Sequence, residues 1–127
     1  MKHIAACHCG AAVLSLAQLP TEVTHCNCSL CHKTGVLWAY YSAKDVLALP
    51  EVTLTETYAW NGKHVDFHRC RACGCVTHWE PRDPSRDKRG VNARLLPVEA
   101  LAATRIRRLD GARTGKFIDL TVDALET

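Results

Sequence analysis

His25-Cys26-Asn27-Cys28-Ser29-Leu30-Cys31-His32-Lys33-Thr34-Gly35 places three thiols within six positions, far too dense for accidental core cysteines. Two more cysteines lie upstream, Cys7 and Cys9, and three downstream, Cys70, Cys73 and Cys75, so all eight fall into three tight clusters. Thiols one or two residues apart can both turn onto one ion, and zinc binds sulfur tetrahedrally at about 2.3 Å. The first residues, Met1 to Ala6, meet a cysteine before any apolar run of signal-peptide length can form. Without a signal, such short pairs favour metal over a disulfide framework. The expectation is a cytoplasmic, zinc-stapled protein.

Moving outward, Gly10 frees the backbone for a metal-binding turn between short runs at Lys2–Ala6 and Ala11–Ala17, which together read as a zinc-tipped hairpin. Leu19-Pro20 breaks the pattern, Glu22–His25 reads as extended, and Ser29–Thr34 as one helical turn closed by Gly35. The aromatic, partly alternating segments Val36–Ser42, Val52–Tyr58 and His64–His68 read as the central strands. Asn61-Gly62 between the last two is a two-residue hairpin signal. Val76–Glu80 gives a further strand stopped by Pro81, and 82–90 a charged, solvated loop. Val91–Leu95, a helical turn near Val98–Ala102 and a strand at Arg105–Leu109 follow. The fold class is mainly β, in one domain spanning residues 1–127.

A 47% hydrophobic and 23% charged chain is an ordinary globular composition, and no apolar run nears the roughly 20 residues of a membrane span. The formal charge of +3 treats cysteine as neutral. Seven or eight zinc-bound thiolates offset by two Zn²⁺ subtract roughly 3 to 4 charges, which leaves the loaded protein near neutral. The basic balance is therefore poor evidence for a nucleic-acid partner. Arg82, Arg86, Lys88, Arg89, Arg105, Arg107 and Arg108 read as solvated faces, with carboxylate recognition or nucleic-acid contact as the sharper alternatives.

Cys70-Arg71-Ala72-Cys73-Gly74 is a zinc knuckle, and with Cys7 and Cys9 it gives a closed four-thiolate site. Cys26, Cys28 and Cys31 then hold a second zinc with an open position, which suits a catalytic or ligand-binding role and an incoming thiol. Spacing alone leaves another partition open: Cys7, Cys9, Cys26 and Cys28 in one site, Cys31, Cys70, Cys73 and Cys75 in the other. Closure of the second zinc by Cys75 or a histidine is a further alternative. His8, His25, His32, His64, His68 and His78 read individually as surface or strand histidines. Trp38, Tyr40, Tyr58, Trp60 and Trp79 read mostly as core, with Trp38 the best candidate to wall a thiol pocket.

Cys7-His8-Cys9-Gly10, Cys26-Asn27-Cys28-Ser29-Leu30-Cys31 with Gly35, Cys70-Arg71-Ala72-Cys73-Gly74 and Val91-Asn92-Ala93-Arg94-Leu95-Leu96 together resemble the family of glutathione-dependent formaldehyde-activating enzymes over nearly the whole chain. The resemblance implies an Mss4-like (β-tent) fold and a structural zinc on Cys7, Cys9, Cys70 and Cys73. It also implies a catalytic-type zinc on Cys26, Cys28 and Cys31, hence two Zn²⁺ per chain. Glutathione and an aldehyde are the implied partners, and the implied activity is a carbon–sulfur lyase that forms S-(hydroxymethyl)glutathione. Two other readings remain: a glutathione carrier without catalysis, and a zinc-ribbon-like module for nucleic acid or protein. The sequence departs from the resemblance at Cys75, where the family usually has a small serine- or threonine-like residue. Strand alternation puts Cys75 on the face of Thr77, either in the core as an inert thiol or beside the second zinc.

Overall fold

The structure, a computed structural model, describes residues 2–123. In chain order the elements are β1 His3–Ala6, β2 Val13–Leu16, β3 Glu22–Cys26, α1 Ser29–Thr34, β4 Trp38–Tyr41, β5 Val46–Ala48, β6 Thr55–Tyr58, β7 Val65–Cys70, β8 Val76–Pro81, β9 Arg89–Asn92, α2 Val98–Ala102, β10 Arg105–Asp110 and β11 Lys116–Asp123. The protein is mainly β. A three-stranded sheet runs β1-β2-β5 and an eight-stranded sheet runs β11-β10-β3-β4-β9-β8-β7-β6. Leu14, Leu16, Val23, Leu37, Ala39 and Val91 are all at most 1% exposed and join both sheets in the main core.

Two hairpins from different sheets carry cysteines at their turns. β1 and β2 pair antiparallel with Ala6 opposite Val13, and the Cys7 N–H bonded to the Ala12 carbonyl at 3.0 Å closes the turn between them. Gly10 in that turn has φ +83°, a conformation costly for any side-chain-bearing residue. β7 and β8 pair likewise, and their turn is closed by Cys70 N–H to the Cys75 carbonyl at 2.8 Å and Gly74 N–H to the Cys70 carbonyl at 2.9 Å. Asn92 ties the sheet centre, donating from Nδ2 to the Val76 carbonyl at 2.8 Å.

Several sequence expectations need correction. Val52–Tyr58 is not a central strand: Val52–Leu54 forms a 3-10 turn, and Thr55–Tyr58 is the edge strand of the large sheet. Its apolar residues explain the reversal, for Val52 is 78% and Tyr58 52% exposed and neither has a core to enter. Asn61-Gly62 does form the centre of a turn, with the Lys63 N–H on the Trp60 carbonyl at 3.1 Å, but that turn does not join the two strands directly. Tyr58 pairs with Phe67, and three successive left-handed residues, Asn61 (φ 47°), Gly62 (φ 89°) and Lys63 (φ 55°), make a wider loop. Strands β5 and β11 had no expectation attached to them. β10 runs parallel to β3, with Leu109 opposite Cys26, and this long-range pairing carries the 110–114 turn to the segment that holds Cys26, Cys28 and Cys31.

The basic runs are engaged locally. Arg82 bonds Asp66 at 2.8 Å, Arg107 lies 3.6 Å from the Phe117 ring centre and Lys88 4.2 Å from that of Tyr40. Among the described residues no helix is long and apolar enough to cross a membrane.

Candidate metal centre

The two cysteine-bearing hairpin turns meet face to face. Their sulfurs, from Cys7, Cys9, Cys70 and Cys73, all lie within 4.8 Å of one another. Cys7 and Cys9 are 3.7 Å apart at Sγ, Cys9 and Cys70 3.6 Å. Two sulfurs each about 2.3 Å from one tetrahedral zinc stand roughly 3.8 Å apart, so this donor set fits a shared ion. The Ala12 N–H donates to Cys7 Sγ at 3.2 Å, and the N–H groups of Cys75 and Cys9 bring Cys73 down to about 5. For Cys9 the Ala11 N–H pulls downward, but hydrogen bonds with Cys70 and Cys7 outweigh it and push the thiol up to about 11. Four crowded sulfurs cannot all ionise without a cation among them. Because one turn belongs to each sheet, an ion here links the two sheets.

The second group is local. Cys26 ends β3, Cys28 is the N-cap of α1, and Cys31 lies one turn into that helix. Cys28 Sγ accepts the N–H of Cys31 at 3.4 Å, so a ligand-type side chain does the work usually given to a serine or aspartate cap. Gly35, at φ 73°, ends the helix with its N–H on the Cys31 carbonyl at 3.0 Å. The three sulfurs lie within 4.8 Å of one another. Cys26 Sγ accepts the Cys28 N–H at 3.4 Å, and Trp38 Nε1 donates to Cys31 Sγ at 3.3 Å. A hydrogen bond from the Cys31 thiol, helped by the Cys28 and Gly111 N–H groups against the cost of burial, lowers Cys26 to about 5. Cys31 rises in turn, through that bond and its own burial.

Room has been kept beside this group. A Cβ on Gly111 would stand 2.5 Å from Cys26 Sγ, so any other residue there would invade the sulfur's coordination space. Asn27, between two of the cysteines, holds the turn that carries Gly111. Its Nδ2 donates to Asp110 Oδ1 at 3.0 Å, its Oδ1 accepts the Ala112 N–H at 3.0 Å, and its own N–H meets the Leu109 carbonyl at 3.1 Å. Cys26 and Cys28 open onto a cleft of about 620 Å³ that Trp60, His64, Phe67, Gly111 and Ala112 also line, a size suited to a small-molecule ligand.

The structure thus brings Cys7, Cys9, Cys70 and Cys73 together, and separately Cys26, Cys28 and Cys31. The alternative partition, which mixes Cys26 and Cys28 with Cys7 and Cys9, does not match this geometry. Cys75 packs against the Cys7, Ala12 and Cys70 cluster, not beside Cys26, so it is no fourth ligand for the three-thiol group. It precedes β8, and strand alternation with Thr77 does not apply to it. Trp38 reaches Cys31 from the buried side, while Trp60 and Phe67 wall the cleft. Tyr40 and Tyr58, expected in the core, are 37% and 52% exposed. Gly111 and Asn27 carried no signal, since their partnership spans the chain.

A family model described as glutathione-dependent formaldehyde-activating enzyme matches residues 2–104. Among solved structures, a crystal structure of a Rhodobacter sphaeroides protein is similar to this chain with a TM-score of 0.62 and 28% identity, over 76% of this chain and 87% of that one.

Proposed function

As this chain belongs to the glutathione-dependent formaldehyde-activating enzyme family, we propose that it joins glutathione to formaldehyde or a related aldehyde, as a carbon–sulfur lyase of the S-(hydroxymethyl)glutathione synthase type. On this reading the fold is of the Mss4-like, β-tent kind. Cys7, Cys9, Cys70 and Cys73 hold a structural zinc, and Cys26, Cys28 and Cys31 hold a second. The single observation that carries the proposal is the asymmetry of the two groups: one has four sulfurs, the other has three and opens onto a cleft. Zinc bound to three thiolates supplies a Lewis-acidic position at which an incoming thiol loses its proton.

The chain's own residues do the rest. Gly111 keeps space free at Cys26 Sγ, and N–H donors from Cys28, Cys31 and Trp38 temper the charge on the three sulfurs. Trp60 and Phe67 offer apolar walls that hold a small aldehyde close to the sulfurs. His64 also lines this cleft, and on this reading it hands a proton to the oxygen that becomes the hydroxyl of the adduct.

The test is the rate of adduct formation from glutathione and formaldehyde followed by NMR, with calorimetric glutathione binding in parallel. Acceleration that Cys28→Ser abolishes supports the proposal. Tight binding without acceleration identifies a glutathione carrier, and the absence of both overturns the reading.

A further inference from the structure

Outside both thiol groups, His68, His78 and Glu80 bring three ligand atoms within 4.8 Å of one another. His68 on β7 lies directly opposite His78 on β8, and Glu80, two residues on, shares His78's face. Trp79 between them packs with Cys26, Cys31 and Trp38, so the three polar groups occupy the other face of the sheet from the thiol cleft. His68 and His78 are 9% and 2% exposed, while the Glu80 side chain keeps 34% of its surface in contact with solvent.

The spacing is informative. Glu80 Oε1 stands 3.3 Å from His78 Nε2 and 3.5 Å from His68 Nε2. Charge-assisted N–H···O bonds close to about 2.7–2.9 Å, so both separations are long for a carboxylate held between two donors. Two ligands each about 2.1 Å from one tetrahedral ion stand roughly 3.4 Å apart, which is the separation seen. The remaining ring nitrogens are already oriented, His68 Nδ1 at 3.0 Å from Thr55 Oγ1 and His78 Nδ1 at 2.9 Å from Thr77 Oγ1. Thr77 also donates to the His68 carbonyl at 3.3 Å. A hydroxyl has one proton, so its oxygen is then left to accept from His78 Nδ1–H. Hydroxyl partners on the far nitrogens are the outer-shell support that ligating histidines use.

We propose that His68, His78 and Glu80 form a further metal site, distinct from both thiol groups, for a borderline divalent ion such as Zn²⁺ or Co²⁺, with water completing the coordination on the Glu80 side. Nitrogen and oxygen donors make it tolerant of harder ions than the thiol sites are. The two rings are stacked, 4.2 Å between centroids and 11° between planes. Sharing one ion therefore makes them splay about χ2, a torsion with broad wells, and the unstacking is itself observable.

Cobalt titration of the protein as purified tests the site. One additional equivalent is expected, with visible d–d absorption, no thiolate-to-cobalt charge-transfer band, and paramagnetic shifts of the His68 and His78 ring nitrogens. Glu80→Gln, which keeps the side-chain shape at a half-exposed position, is expected to weaken it at least tenfold with glutathione binding unchanged. Thr55→Val, which removes only a supporting hydroxyl, is expected to cost about tenfold. The absence of any additional equivalent overturns the proposal. So does an equivalent that carries the thiolate band, or one that Glu80→Gln leaves at full affinity. His78→Gln is a second check where the variant folds.

Discussion

The two cysteine groups use the same side chain to opposite ends. In the four-sulfur group, Cys9 meets Cys70 across 61 residues and joins turns from two sheets. In the three-sulfur group, every member lies between Cys26 and Cys31, within a strand end and one helical turn. A long-range link closes large loops and so changes the stability of the whole chain. A local link closes almost none, and its metal can serve chemistry with little consequence for the fold. The number of sulfurs follows the same division, for the long-range group is closed by four and the local group leaves room that Gly111 protects.

The largest expected effect is at the long-range group. Structural zinc contributes about 10–16 kcal/mol of apparent binding energy, comparable with the roughly 5–15 kcal/mol of a whole domain. Cys70→Ser is therefore expected to yield a protein without a cooperative thermal transition by circular dichroism. A variant melting within a few degrees of the parent breaks the comparison at its root.

Cys28→Ser comes next. It is expected to keep the fold, at a cost within about 2 kcal/mol, while it loses one zinc and at least about tenfold in glutathione affinity by calorimetry. Loss of stability equal to that of Cys70→Ser removes the distinction between the groups.

Gly111→Ala sharpens the comparison, because its Cβ enters the space 2.5 Å from Cys26 Sγ and touches nothing of the four-sulfur group. Selective weakening of the second zinc by about 10–100-fold is expected in chelator competition. Asn27→Ala, which frees the same turn from its two side-chain bonds, is expected to act in the same direction but less, by about tenfold. If either substitution releases both zincs together, the groups are not independent.

Cys75→Ser is the smallest. The residue packs beside the four-sulfur group without belonging to it. Zinc content and glutathione affinity are expected to stay unchanged, with at most about 1–3 kcal/mol lost if the new hydroxyl lacks a partner. Release of a zinc by this substitution makes Cys75 a ligand.

What could be read in the sequence was whatever is local. Cys26, Cys28, Cys31 and Gly35 announce a helical turn because ligand spacing and helix termination sit within ten residues. The Gly10 and Gly74 turns are marked by their cysteines in the same way. The partition of the eight cysteines was not legible, since it depends on which hairpin faces which, and only the resemblance favoured one choice. Asn27, Asp110 and Gly111 were invisible for a related reason: a parallel β3–β10 pairing brings them together from 83 residues apart. The strand pattern at Val52–Tyr58 misled because alternation reports extended backbone equally well at an edge and at a centre. His68 and His78 could be placed on strands, yet their direct opposition depends on register, and a bulge between His68 and Arg69 shifts that register.

The central claim is that the three-sulfur group accepts a thiol that the four-sulfur group cannot. Zinc K-edge X-ray absorption with and without glutathione tests it most directly, because it averages sulfur coordination over the protein's zinc. In protein loaded with two zinc equivalents, so that the His68, His78 and Glu80 group stays unfilled, the account expects the mean to lie below four sulfurs per zinc without glutathione and to rise to four when it is added. A mean of four before glutathione, unchanged after it, contradicts the account.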